Sequence, residues 1–305
     1  MKDISIIMPF LNEREEPQNT IDSIYQTAHP KRFEIIAIDD CSDEASKIYE
    51  SKEIKIVRNK HRIGVDACRQ LGAEMATSPN LFIIDAHMRF PKGWMSRMIS
   101  NIQSEPSTLW CTTCMGLGYG NMDLHRSRDR YRGADIVLLN GSQEILEPKW
   151  RNVHAPGKYE IPCVLGANYG ISKSWFEHIH GLKGLKMWGG SEMFMSLKTW
   201  MAGGCCKIDT DIHIGHKFRD NAPYATGAWN ITYNKLYICD TILPNDIGEY
   251  LKSRIPNSYN RRRADKEIER NKQEIASEKS YYTNIFKRDL YSICDQWRIP
   301  IPCLV

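Results

Sequence analysis

Asp85-Ala-His87 sets a carboxylate and an imidazole two residues apart, directly after the apolar run Leu81-Phe-Ile-Ile84. A short run of that kind, continuous in hydrophobicity and partly β-branched, reads as a central parallel strand covered on both faces. A chain leaving such a strand can turn an oxygen and a nitrogen toward one point. That donor pair suits Mn2+ or another borderline divalent ion better than Ca2+, which takes oxygen ligands. The competing reading of the triplet is a polar strand end with no ligand.

The elements around this stretch alternate. Ile4-Ser-Ile-Ile-Met8 reads as a strand, and Pro9-Phe-Leu-Asn-Glu13 as a turn into a helix that runs to about Thr27. Residues 33–38 form a second buried strand ending in Asp39-Asp40-Cys-Ser-Asp43, residues 53–57 a third, and residues 64–76 an amphipathic helix ahead of the Leu81 strand. This βα alternation with short connections predicts an α/β fold with a doubly wound, mostly parallel sheet, whose ligands bind beyond the strands' carboxyl ends. Both acidic clusters lie on that edge. Met193 to Trp200 reads as a helix with an apolar stripe, and Cys205 to Ile214 as a return to the sheet.

Composition bounds the reading. A chain of 305 residues that is 42% hydrophobic and 26% charged can bury a large core. No run approaches the roughly 18 apolar residues of a membrane span, and Met1-Lys-Asp-Ile-Ser leads into a strand rather than a signal peptide. Ten cysteines in a chain this long, several inside apolar runs, fit buried reduced thiols, so the expected setting is cytoplasmic. Cys111-Thr-Thr-Cys114 has CxxC spacing without a second pair, which favours a structural role. The net charge of +4 is compatible with an anionic substrate and does not demand one.

Several motifs together resemble a GT-A glycosyltransferase of the family 2 type. Met8-Pro-Phe-Leu-Asn-Glu13, Ile38-Asp39-Asp40-Cys-Ser-Asp43 and Asp85-Ala-His87 match its opening turn, nucleotide-reading loop and metal motif. The histidine in that last motif is similar to the Asp-x-His of polypeptide N-acetylgalactosaminyltransferases. Gly166-Ala-Asn-Tyr-Gly170, Trp188-Gly-Gly-Ser-Glu192 through Trp200-Met-Ala-Gly-Gly204, and Ile214-Gly-His216-Lys-Phe-Arg219 with Pro223-Tyr224 follow in that family's order. The resemblance covers residues 4 to 240. It implies a catalytic domain of GT-A fold over residues 1–240, a helical C-terminal extension over 241–305, and no counterpart of the family's C-terminal lectin domain.

The resemblance also implies roles. Asp85, His87 and His216 would hold the metal. Pro9, Glu13, Asp40, Arg69, Asp85 and Tyr224 would bind the donor nucleotide, with Asp40 accepting from the uracil edge and Arg69 reaching base or diphosphate. A plain turn cap competes for Asp40, and a solvated helix face for Arg69. Trp188, Glu192 and Arg219 would act at the reaction centre; for Trp188 the competing role is core packing. Where the family has Glu-Asn, this chain has Ser191-Glu192, so the carboxylate moves by one residue. Glu192 could serve as an acidic base or only as a first-turn partner of the helix dipole. Retention against inversion stays open.

These readings converge on a Mn2+-dependent enzyme that transfers GalNAc, GlcNAc, Glc or Gal from a UDP-sugar to a hydroxyl of a macromolecule. By resemblance the acceptor is Ser or Thr of a polypeptide. The run Arg261-Arg-Arg263, within a charge-rich segment, leaves a hydroxymethylated base in DNA open, as is a glycan. A solvated helical face also explains that run. The rival classes are a nucleotidyltransferase and a non-catalytic sugar-nucleotide binding module. The tail from Trp297 to Val305 is apolar enough to dock on the core.

Overall fold

Ile4–Phe10 is buried at every position, as a central strand must be when both its faces are covered. The computed structural model describes residues 2–44, 47–117, 130–141, 144–151, 155–219, 224–225 and 227–301. In chain order the elements are β1 (Ile4–Phe10), α1 (Glu16–Thr27), β2 (Phe33–Asp39), β3 (Ile54–Arg58), α2 (Val65–Met75), β4 (Asn80–Ile84), β5 (Met88–Arg89), α3 (Trp94–Ser104), β6 (Thr108–Leu117), β7 (Arg130–Tyr131), β8 (Ala134–Asn140), β9 (Glu144–Trp150), β10 (Lys158–Glu160), β11 (Asn168–Ser172), α4 (Lys173–His178), α5 (Ser191–Met201) and β12 (Cys205–Lys217). Five helices close the chain: α6 (Ala228–Thr241), α7 (Asn245–Arg254), α8 (Tyr259–Arg270), α9 (Lys272–Ile285) and α10 (Leu290–Trp297).

The main sheet runs β10-β12-β6-β11-β4-β1-β2-β3, with β5 on β12 and β7 on β6. Strands β3, β2, β1 and β4 are parallel throughout, as the alternating pattern predicts. Beyond β4 the sheet is mixed, because β11 pairs antiparallel with both β4 and β6. Two reversals restore direction, so β6, and β12 parallel to it, run the same way as β4. The carboxyl end of β12, far away in sequence, therefore reaches the edge where β4 ends. Between β2 and β3 the described residues form no helix, a departure from strict βα alternation.

Alternation along each strand sorts the core into two layers. Ile7, Leu81 and Ile83 face one cluster, whereas Ile6, Phe82 and Ile84 face the other. Helices α1 and α3 cover the second layer through Ile21, Ile24, Met98 and Ile102. The first layer holds α2 and α5 and continues into the C-terminal helices through Leu251, Ala264, Tyr282 and Ile293. Cys111 and Cys114 fall in opposite layers as free thiols, which fits the structural reading of that pair.

The charge-rich segment forms α8 and α9. Arg261 pairs with Asp265 at 2.8 Å and donates to the Lys252 carbonyl, and the Arg263 guanidinium lies 4.1 Å from the Trp229 ring centroid. Trp297 packs edge-on against Trp200, with centroids 5.7 Å apart, so the start of the tail docks as its apolarity predicts. The last residues, 302–305, lie outside the described ones. Among the described residues no helix is long and apolar enough to cross a membrane.

One close approach fixes the loop ahead of α5. Gly64, at the N-cap of α2, has φ +95°, and a Cβ there would lie 2.1 Å from Met187 Cα. The left-handed backbone and the backbone overlap both penalise a side chain. Gly64→Ala should lower the unfolding free energy by at least about 2 kcal/mol, read from the urea midpoint at unchanged m-value. An unaltered midpoint would show that the loop is free to move off α2.

Candidate active site

Three ligand-type side chains meet at the shared edge. Asp85 follows β4 directly, His87 stands two residues on, and His216 is brought across by the pairing of β12 with β5, in which His216 faces Met88. The Nε2 atoms of His87 and His216 approach to 3.1 Å, and His216 Nε2 lies 3.4 Å from Asp85 Oδ2. All three donor atoms lie within 4.8 Å of one another. Burial lowers the pKa of both histidines despite the neighbouring carboxylate, which favours the neutral ring, with one nitrogen on each able to bind a metal. Two neutral imidazoles and one carboxylate on a single point fit a borderline divalent ion such as Mn2+. The polar strand-end reading of Asp85-Ala-His87 does not account for His216 arriving there.

Asp85 is shared. Its Oδ1 accepts from Arg69 Nη2 at 3.0 Å, on the side away from the histidines. Burial by itself would raise its pKa, but the His216 hydrogen bond and the Arg69 charge outweigh that and hold the carboxyl well below its usual range. Arg69 is only 5% exposed, which excludes the solvated helix face. Its Nη1 also faces Asp66 Oδ1 at 3.4 Å and Ser191 Oγ at 3.3 Å. The guanidinium thus contacts Asp66, Asp85 and Ser191, and Arg69 lines the cavity.

Asp40 is likewise engaged by the turn that follows β3. Its Oδ1 accepts from Asn59 Nδ2 and the Ile63 amide at 2.9 and 2.8 Å, and its Oδ2 from the Gly64 amide at 2.8 Å. The turn-cap reading describes these three bonds, and Asp40 also lines the cavity. Glu13 takes both guanidinium nitrogens of Arg219 and lies 3.4 Å from His87 Nδ1. Arg62 stacks on Tyr224 at 5.1 Å.

Every residue singled out from the sequence, Pro9, Glu13, Asp40, Arg69, Asp85, His87, Trp188, Glu192, His216, Arg219 and Tyr224, lines one cavity of about 620 Å3. Trp188 is 47% exposed and so is no core residue. The far wall was invisible in the sequence. Leu146, Glu147, Pro148 and Trp150 of β9 face Ile231 and Lys235 of α6 there, with a Lys235–Glu147 ion pair at 2.6 Å. Trp150 packs edge-on against Tyr131 and tilted against Phe218, centroids 4.7 and 5.3 Å away. No spacing rule marks a hairpin as half of a pocket.

A family model, glycosyl transferase family 2, matches residues 5–179, more than half of the chain. The chain belongs to glycosyl transferase family 2. Among characterised relatives it is 29% identical over 239 residues to polypeptide N-acetylgalactosaminyltransferase 5 of Caenorhabditis elegans, covering 73% of this chain and 38% of that protein. It is 26% identical over 263 residues to polypeptide N-acetylgalactosaminyltransferase 10 of Homo sapiens, covering 83% and 44%. The chain thus spans less than half the length of these relatives. Its fold resembles that of GalNAc-T7, solved with UDP, GalNAc and Mn2+, at TM-score 0.75 and 18% identity over 98% of this chain and 59% of that one. A second fold relative is S. aureus TarS 1-349 in complex with UDP-GlcNAc, at TM-score 0.55 and 12% identity over 84% and 70%. The GT-A architecture expected of this family 2 chain is therefore present.

Glu192 occupies the first turn of α5 and faces the cavity. Burial raises its pKa against the opposing charge of Arg69, which turns a carboxylate into a better base near neutral pH. Gly166 leaves it room, since a Cβ there would lie 2.5 Å from Glu192 Oε1. Because that oxygen ends a flexible side chain, Gly166→Ala should leave the melting temperature nearly unchanged and lower turnover at least about tenfold by swinging the carboxylate aside. If Glu192 is the base, the wild-type rate should fall as pH drops through its raised pKa. That places the acid limb above the ordinary glutamate value of about 4.3. Glu192→Gln should remove the limb and about two to four orders of magnitude in turnover. Retention of the limb in Glu192→Gln would assign it elsewhere.

Proposed function

We propose that this family 2 member transfers a sugar from a UDP-sugar to a hydroxyl of a macromolecular acceptor, with Mn2+ or a similar divalent ion held by Asp85, His87 and His216. The observation that carries the reading is the convergence of those three donors at the carboxyl edge of a nucleotide-binding type of sheet. When bound, the ion supplies neutralisation of the charge that develops on the departing diphosphate. The chain's own residues do the rest. Asp40 and Tyr224 flank the space for the base, Glu13 orients Arg219 at the rim, and Trp188 with Glu192 faces the acceptor side. Trp150 and Trp188, each about half exposed, offer apolar faces to the acceptor segment.

The names of the relatives support GalNAc as the sugar and a polypeptide as the acceptor. The arginine run gives the DNA reading little support, because Arg261 and Arg263 are already engaged within the helical bundle.

Chelation should abolish transfer of labelled sugar from UDP-GalNAc to a Ser/Thr peptide, and added Mn2+ should restore it. His87→Ala and His216→Ala should each cost at least about a hundredfold in rate. Release of pyrophosphate in place of UDP would indicate a nucleotidyltransferase, and full activity of His87→Ala in EDTA would remove the metal from the mechanism.

A further inference from the structure

Asp66 and Ser191 lie outside the roles assigned so far, yet they form a buried polar bridge beside the metal ligands. Asp66 belongs to the first turn of α2 and is wholly buried, and Ser191 opens α5. Ser191 Oγ donates to Asp66 Oδ1 at 2.8 Å, and the same oxygen lies 3.4 Å from Arg69 Nη1. The other nitrogen of that guanidinium bonds Asp85. A continuous chain thus links α5, α2 and the carboxylate at the end of β4.

Charge gives the chain a purpose. A buried guanidinium needs anionic partners, and with Asp85 as its sole partner it would neutralise that carboxylate and turn it away from a cation. Burial pushes the Asp66 carboxyl up to about 7, while the Arg69 charge and the Ser191 hydroxyl favour its ionised form; in that form it shares the guanidinium, so Asp85 can give Oδ1 to Arg69 and keep Oδ2 facing His216. Ser191 fixes the Asp66 carboxylate and stands directly before Glu192. From the neighbouring helix, Asp66 brings a carboxylate to 2.8 Å from the Ser191 hydroxyl.

We propose that Asp66, held by Ser191, is a positioning residue that balances Arg69 and so keeps Asp85 available to the divalent ion. This rests on the metal-dependent reading above. The test measures Mn2+ affinity of the purified full chain without sugar nucleotide, from the free-ion EPR signal, alongside melting temperature and the kcat and KM of transfer. Wild type must bind Mn2+; if it does not, the metal reading itself fails, and that result is separable from every variant result.

With wild-type binding established, Asp66→Asn should weaken Mn2+ binding about tenfold or more, the range expected when a partner of a metal ligand is lost. It should lower kcat with a smaller change in KM for the acceptor. Asp66→Ala should behave likewise, and Asp66→Ala with Ser191→Glu, which moves the carboxylate from α2 to α5, should return the affinity to within about threefold of wild type. A merely structural Asp66 would show no such rescue. Wild-type Mn2+ affinity in folded Asp66→Asn would overturn the proposal, as would a double variant no better than Asp66→Ala. If the Asp66 variants do not fold, Ser191→Ala decides. A severalfold loss of Mn2+ affinity supports the bridge, and an unchanged affinity overturns it.

Discussion

The site depends on a single buried ion pair, Arg69 with Asp85, at the point where β4 ends. A guanidinium that is 5% exposed cannot stay charged without anions close by, and the fold meets that requirement from three elements. Asp66 comes from α2, Asp85 from the strand end and Glu192 from α5, whose charge also reaches Arg69. Asp85 is thereby held beside the two imidazoles with one oxygen on Arg69 and the other toward His216. Burial, with the Asp85 charge nearby, pushes Glu192 toward a basic carboxylate against the charge of Arg69.

The sheet supplies geometry for this arrangement without long loops. Threading β11 antiparallel between β4 and β6 reverses direction twice, and the long β12 then delivers His216 beside His87. Behind α5, the C-terminal helices set its position. Lys198 is fully buried, its amine 3.7 Å from the Phe194 ring centroid and 3.2 Å from Tyr282 Oη of α9. Burial drives its pKa well below the usual lysine value, and its amine bridges α5 to α9. Glu278 of α9 binds both His180 and Lys183 at 2.8 and 2.7 Å, closing the same seam. Helix α5 therefore rests on helices that lie beyond the stretch covered by the family motifs.

Much of this was legible in the residues. The apolar runs named β1, β2 and β4 because a strand covered on both faces has no polar alternation to obscure it, and β3 was legible without being buried. Asp85 and His87 were readable because the triplet, weak alone, came with the other family motifs in order, and His216 because its Gly-His-x-Phe-Arg context marked it. Partners set by long-range packing were not legible. Nothing local joins Asp66 to Ser191, 125 positions apart, or Glu13 to Arg219, and these contacts decide which way Arg69 and Arg219 point. Arg69 itself read as ambiguous, since an arginine in an amphipathic helix looks the same whether its face meets water or a buried carboxylate. The β8-β9 hairpin gave no motif because pocket walls are selected by shape.

The central claim is that two imidazole nitrogens and one carboxylate bind the ion at the edge of this sheet. Pulsed EPR of the chain loaded with one Mn2+ tests it most directly, through hyperfine coupling to directly bound 14N. The account predicts coupling to two histidine nitrogens, reduced to one in either His87→Ala or His216→Ala. A spectrum without nitrogen coupling, or one that either substitution leaves intact, would contradict it.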